Sequence, residues 1–365
     1  MSNPDYHFDE RLAYAATLPA RWYIDPQILE QEKEKIFARA WQLVGRAEQV
    51  AGPGDYFTAM ICDEPIIVAR GADEKLRAFS NVCRHRAGPV AAGQGRRKVF
   101  QCGYHGWTYS LEGRLLGAPE FGGVECFNRE ETCLPQFAVE TWAGLVFVNL
   151  NPHAAPLAAT LEDLPSRIKR LDPAAMKLAA RKDWYLDCNW KTYVDNYLEG
   201  YHIPIVHPGL NREIDYAQYR TETKRYYSIQ HSPIKKVEGA KLRRAENLDD
   251  NEAQFFWVFP NLMLNVYPDN YSTNLIVPLG PERTLTVFEW YFRDPETPEV
   301  KEKIRRTVEF SDEIQLEDIR ICEDVQRGLR SRLYSQGRYS VKRENGVHHF
   351  HGLITQFFAE SSVEK

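Results

Sequence analysis

The chain lacks any uninterrupted apolar run near the ~18 residues that a membrane-spanning helix needs, and its first residues, MSNPDYHFDERLAYAA, lack the basic lead and apolar stretch of a signal peptide. A cytoplasmic protein that makes no use of a membrane is the expectation. No basic stripe with interleaved aromatics occurs, and the balance of 46 Lys+Arg against 51 Asp+Glu is mildly acidic, which argues against a nucleic-acid partner. Cysteine is sparse: seven in 365 residues, an odd number scattered over a long chain, which excludes a secreted disulfide framework. There is no repeat, no low-complexity tract and no G-x-G-x-x-G following a strand pattern.

A chain of 365 residues exceeds the size at which a single core stops growing, so two domains are expected. The stretch DPQILEQEKEKIFARAW from Asp25 to Trp41 carries Pro in its first turn and apolar residues at Ile28, Leu29, Ile36 and Phe37, which predicts a leading helix. Short strand-like runs follow, YFTAMI, PIIVAR, LRAFSNV, KVFQCGY and GLVFVNL, separated by Gly, Pro or Asp turns. They predict an all-β domain over 40–150. After an Ala- and Pro-rich connection from Asn151, helix and sheet mix: a helix at Trp190–Tyr201, strands in FFWVFPNLMLNVY, STNLIVPLG and RTLTVFEWYF, and a long helix from Pro298 to Arg332. The fold class is α+β, with the all-β domain inserted ahead of an antiparallel-sheet-plus-helices domain at 151–365, on which the segment 1–39 packs.

Within the β domain, CRH at Cys83–His85 and CGYH at Cys102–His105 pair one cysteine with one histidine in each loop. Thiolate and imidazole suit Zn2+ or an iron–sulfur cluster. Zinc fingers usually keep like ligands together, whereas a Rieske [2Fe–2S] centre needs two Cys on one iron and two His on the other, so each loop can serve both irons. Gly88-Pro89, Gly103 and Gly106 suit loops bent tightly around such a group. A structural zinc site in a binding module without redox chemistry is the alternative.

In NWKTYVDNYLEGYHIPIVHPGL, Asp195, Glu199 and His202 stand at i, i+4 and i+7, predicting one helical face, with Pro204 ending the helix and the break letting His207 swing back. Two histidines need one carboxylate for a facial triad at Fe(II). On the long helix Asp318 falls within an apolar stripe of Ile314, Ile321, Cys322, Val325 and Leu329, while Glu313, Glu317, Glu323 and Asp324 lie at its margin or outside. A buried carboxylate must be paired or bound to metal. Glu317 is the next candidate for third ligand. His348, His349 and His351 form a further cluster without an accompanying carboxylate or Cys, and read as structural or surface residues.

The motif CRHRAG…CGYHGWTYS, with the second histidine region and Asp318, resembles the alpha subunits of Rieske non-heme iron oxygenases. From about Trp41 to the end, NLMLNVY, TNLIVPLGPER, QLEDIRICEDVQRGL and GRYSVKRENGVHHFHGL resemble the choline and quaternary-ammonium monooxygenase group of that family. The resemblance implies one [2Fe–2S] cluster per chain on Cys83, His85, Cys102 and His105, and one Fe(II) on His202, His207 and Asp318. It implies hydroxylation of a C–H bond with O2, on a small substrate such as choline, betaine or carnitine, with electrons from a separate NAD(P)H-dependent reductase or ferredoxin. It also implies a homotrimer in which Glu199, standing where many ring-hydroxylating dioxygenases have Asp, bridges the iron-binding His202 to the cluster histidine of a neighbouring subunit. An aromatic-ring-hydroxylating dioxygenase is the rival reading. Trp257, Tyr267, Tyr271, Trp290 and Tyr291 are candidates for an aromatic cage around a methylated ammonium, or for sheet core.

Overall fold

Asp25 caps the leading helix by accepting from Gln27 N–H, and Pro26 occupies its first turn, so the helix starts where the sequence indicates. It is shorter than expected. The α-helix covers Pro26–Glu32 and continues as a π-helical turn at Lys33–Phe37. The computed structural model describes residues 6–242 and 251–360, and these divide into two units: Phe37–Ala159, and the residues up to Ile36 together with those from Thr160 on. Among the described residues no helix is long and apolar enough to cross a membrane.

The first unit is all-β, with a seven-stranded antiparallel sheet and a three-stranded sheet, Phe100–Gln101, Thr108–Tyr109 and Leu115–Gly117, that holds the second Cys/His loop at its first turn. Its core gathers Tyr56, Phe79, Phe100, Trp107 and Tyr109 around the two buried cysteines Cys83 and Cys102.

The second unit is built on a seven-stranded antiparallel sheet in the order Lys177–Leu186, Arg283–Phe292, Asn270–Gly280, Leu262–Val266, Glu252–Val258, Tyr227–Pro233, Arg220–Thr223. The long helix runs from Pro298 to Leu329, three residues short of the expected end. Helix Trp190–Tyr197 lies against it: Tyr193 Oη donates to Gln315 Oε1 at 2.5 Å, and Asn189 N and Thr192 Oγ1 both donate to Gln326 Oε1. The expected apolar stripe is only partly covered, since Val325 is exposed while Cys322 and Leu329 are buried.

Beneath this helix Lys191 Nζ meets Glu32 Oε1 at 2.5 Å with both side chains fully buried, and Trp190 Nε1 donates to Glu32 Oε2 at 2.8 Å. Burial raises the Glu32 pKa and lowers that of Lys191, each opposed by its partner. A buried pair contributes little net stability, but removing one member strands the other. Lys191→Met is therefore expected to lose about 3–5 kcal/mol in denaturant unfolding, and adding Glu32→Leu to recover most of it. A single variant as stable as the parent would show that Glu32 finds another partner.

Candidate functional site

The two Cys/His loops close in the same way. Cys83 N donates to Gly88 O and Ala87 N to Cys83 O; Cys102 N donates to Trp107 O and Gly106 N to Cys102 O. Ala87 and Gly106, at the matching position of each loop, have φ of 57° and 72°. Two similar loops thus face each other and present like donors to one space. A Cβ on Gly88 would lie 3.1 Å from Cys102 Sγ, so a side chain there would press on that sulfur.

Both thiols are 3 % exposed, and Cys83 Sγ lies 3.3 Å from the buried hydroxyl of Tyr109, which also accepts from Arg84 N. The rings of His85 and His105 approach edge to face at 4.6 Å, and His85 stacks on Trp107 at 4.9 Å. His85 Nδ1 is buried with no hydrogen-bond partner among the described residues. A buried imidazole nitrogen left unsatisfied beside two buried thiols fits a metal cluster held by these four residues. His105 and Tyr104 are exposed, so one edge of the site meets the surface.

The second site corrects the expected local structure. Helix Trp190–Tyr197 stops at its cap, Leu198, so Asp195, Glu199 and His202 do not share a helical face. Gly200 follows at a point where a Cβ would strike the Tyr219 ring at 2.6 Å. Pro204 does not end a helix; it lies in the first turn of a new one, Ile203–Val206, and His207 sits between that helix and Pro208–Glu213.

The break still brings the donors together. His202, His207 and Asp318 each offer one ligand atom, all within 4.8 Å of one another. His207 Nε2 lies 3.0 Å and His202 Nε2 3.8 Å from Asp318 Oδ1, which also accepts from Asn196 Nδ2 at 2.6 Å. The outer nitrogens are held by carboxylates: His202 Nδ1 by Glu199 Oε1 at 2.6 Å, and His207 Nδ1 by Glu317 Oε2 at 2.7 Å. Each imidazole is fixed with Nε2 facing the shared point, the support commonly found behind metal-bound histidine. Burial disfavours charge on His207, but Asp318 and Glu317 prevail and raise its pKa, a sign that the site attracts cations. Glu317, a reserve ligand by sequence, stands behind the His207 ring. Sequence reasoning missed its role and that of Asn196, although adjacency to Asp318 was a signal for Glu317. Glu317→Ala is expected to weaken iron binding about 10–100-fold without altering the cluster spectrum, measured by iron titration of the apoprotein. Unchanged iron affinity would remove Glu317 from the site.

Asp195 points elsewhere, bonded to Tyr23 Oη at 2.6 Å and His351 Nε2 at 2.9 Å; Tyr339 Oη lies 2.6 Å from His351 Nδ1. His351 is 1 % exposed and structural. His348 Nε2 meets Asp9 O, and His349 packs near Trp257.

One cavity touches His202, His207, Asp318 and Glu199 and is walled by Tyr197, Tyr219, Phe255, Tyr267, Phe288, Trp290 and Phe310. Of the candidate cage residues, Tyr267 and Trp290 line it. Strand alternation turns Tyr271 and Tyr291 to the opposite face, where they stack at 4.6 Å, and Trp257 is core, donating to Pro260 O.

Residues 40–128 match the family model described as the Rieske [2Fe-2S] domain, and 175–360 match the ring hydroxylating alpha subunit (catalytic domain). The chain is 37 % identical to a choline monooxygenase, chloroplastic, of Arabidopsis thaliana, over 94 % of this chain and 83 % of that one. It is 35 % identical to the carnitine monooxygenase oxygenase subunit of Escherichia coli K12, over 99 % and 100 %. A solved quaternary ammonium Rieske monooxygenase, reported for carnitine oxidation and inter-subunit electron transfer, is 34 % identical with a TM-score of 0.84, over 95 % of this chain and 97 % of that one.

Proposed function

The chain belongs to the Rieske-type ring-hydroxylating oxygenase alpha subunits, and from that premise we propose that it hydroxylates a C–H bond of a quaternary ammonium compound. The overall change is R–H + O2 + 2e– + 2H+ giving R–OH + H2O. When bound, the mononuclear iron supplies O2 activation and the [2Fe–2S] cluster supplies electrons, which a separate reductase or ferredoxin delivers. Cys83, His85, Cys102 and His105 hold the cluster; His202, His207 and Asp318 hold the iron.

The observation that carries the substrate reading is the cavity: the triad's donors open onto walls of Phe255, Tyr267 and Trp290, faces that attract a methylated ammonium. Glu199 and Glu317 orient the two imidazoles and keep their Nε2 atoms turned inward. The aromatic walls exclude water and position the cation so that its C–H bond faces the triad. A cytoplasmic homotrimer, with Glu199 linking His202 to a neighbouring copy's cluster histidine, completes the proposal. The inter-subunit electron transfer reported for the similar solved oxygenase supports the link between copies.

The test is O2 uptake by the reconstituted protein with a competent reductase, over a panel of trimethylammonium compounds and arenes. Uptake coupled to hydroxylated amine is expected; uptake coupled to an arene diol would overturn the reading.

A further inference from the structure

The two histidines of the cluster site meet different surroundings. His105 is exposed beside Tyr104, and the facing loop carries the exposed Arg84 and Arg86, with the Arg86 guanidinium 5.7 Å from the Tyr104 ring centre. His85 is covered instead. Its ring stacks on Trp107 at 4.9 Å with 7° between the planes, and Phe121 meets it edge to face at 5.8 Å.

Phe121 and Phe127 belong to the irregular connection between strands Leu115–Gly117 and Gln136–Trp142. Their rings lie 4.8 Å apart, and Trp107 meets them at 5.0 and 5.8 Å. Touching rings therefore lead without a gap from a cluster ligand to the outer side of this connection. There Leu116 and Val124 are each 48 % exposed, and Arg129 Nη1 reaches back to Leu116 O at 3.4 Å, tying the far end of the connection to the strand.

Exposed apolar side chains rimmed by polar groups mark interaction sites. Electron tunnelling falls steeply with distance, so a donor must come close to the cluster, and packed rings leave little empty space to cross. Redox encounters bury less surface than stable complexes, which suits a patch this small. The rim has a sign. Between Glu120 and Thr132 four exposed glutamates, Glu120, Glu125, Glu130 and Glu131, stand against one arginine, Arg129, whereas the His105 edge is flanked by arginines. Opposite charge on the two sides sorts two partners, because like charges brought face to face disfavour the wrong one.

We propose that the connection Ala118–Thr132 is the docking face for the electron-donating protein, a small redox carrier with a basic rim, and that electrons enter on the His85 side and leave on the His105 side. The inference rests on the oxygenase reading above and gives its electron donor a surface. Each encounter passes one electron: the donor's reduced centre loses it and one ferric ion of the cluster gains it. Two encounters supply the two electrons of one turnover.

The experiment uses the reconstituted full-length protein and a purified NAD(P)H-dependent reductase selected for reducing the parent cluster. Calorimetry reads binding, and stopped-flow reads cluster reduction by the reductase and by dithionite, a small reductant that needs no docking face. Glu125→Lys with Glu130→Lys is expected to raise the reductase Kd about tenfold or more at low salt and to flatten its salt dependence. Val124→Asp should raise it by a similar factor, while Arg86→Glu at the other edge stays within about twofold of the parent. The substituted side chains are all exposed, so the cluster spectrum and the dithionite rate should match the parent in every variant. Parental Kd in the loop variants, or weakened binding in Arg86→Glu alone, would overturn the proposal and leave the oxygenase reading standing. A parent protein without a reducible [2Fe–2S] cluster would end both.

Discussion

Replacing His202, His207 or Asp318 by alanine is expected to abolish mononuclear iron binding and turnover while the [2Fe–2S] spectrum persists. Three donor atoms within 4.8 Å of one another leave no surplus, so two remaining ligands hold iron weakly at best. The cluster loops fold within a different unit, Phe37–Ala159, and keep their own core. Iron and acid-labile sulfide assays, with the paramagnetic signal of the reduced cluster, separate the two metals. Glu317 cannot replace Asp318, because its carboxylate already sits behind the His207 ring at Nδ1. Retention of iron and activity by Asp318→Ala would show that the third ligand lies elsewhere.

Glu199→Ala, loaded at saturating iron to offset the lost support of His202, is expected to keep cluster and assembly yet slow the reoxidation of the reduced cluster by about 10–100-fold with substrate and O2 present. Glu199 Oε1 lies 2.6 Å from His202 Nδ1, and its other oxygen accepts from the backbone of Tyr201 and His202. The carboxylate is therefore held in place before any partner arrives. In the proposed trimer it also meets a cluster histidine, His85 or His105, of the next copy. Single-turnover stopped-flow reads the effect directly. Mixed assemblies of the slowed Glu199→Ala and inactive Cys83→Ala chains should turn over faster than either alone, because some interfaces then pair an intact cluster with an intact Glu199. A parental rate in Glu199→Ala would reject the bridge.

The donor types were legible because each carries a local signature. Matched Cys/His pairs stand among glycines, and Asp318 interrupts an apolar stripe that periodicity makes visible. The path of the chain between donors was less legible. The helical pattern runs on through Glu199 and His202, and only Gly200 marks where Tyr219 must pass close enough to forbid a side chain. Period-two alternation separates Trp290 from Tyr291 and Ser272 from Tyr271, but it does not say which face a cavity occupies. That depends on the long helix packing over one face, a long-range event. The roles of Glu317 and Asn196 depend on the same packing, which explains why neither was assigned from sequence.

The most direct test of the account is the fate of 18O2 in a reductase-supported turnover with a trimethylammonium substrate. The account predicts one labelled oxygen atom in the organic product and the other in water. Two labelled atoms in one product, as in a cis-diol, would contradict it, as would an unlabelled product when the carbonyl or carbinolamine is reduced in place before its oxygen exchanges with water.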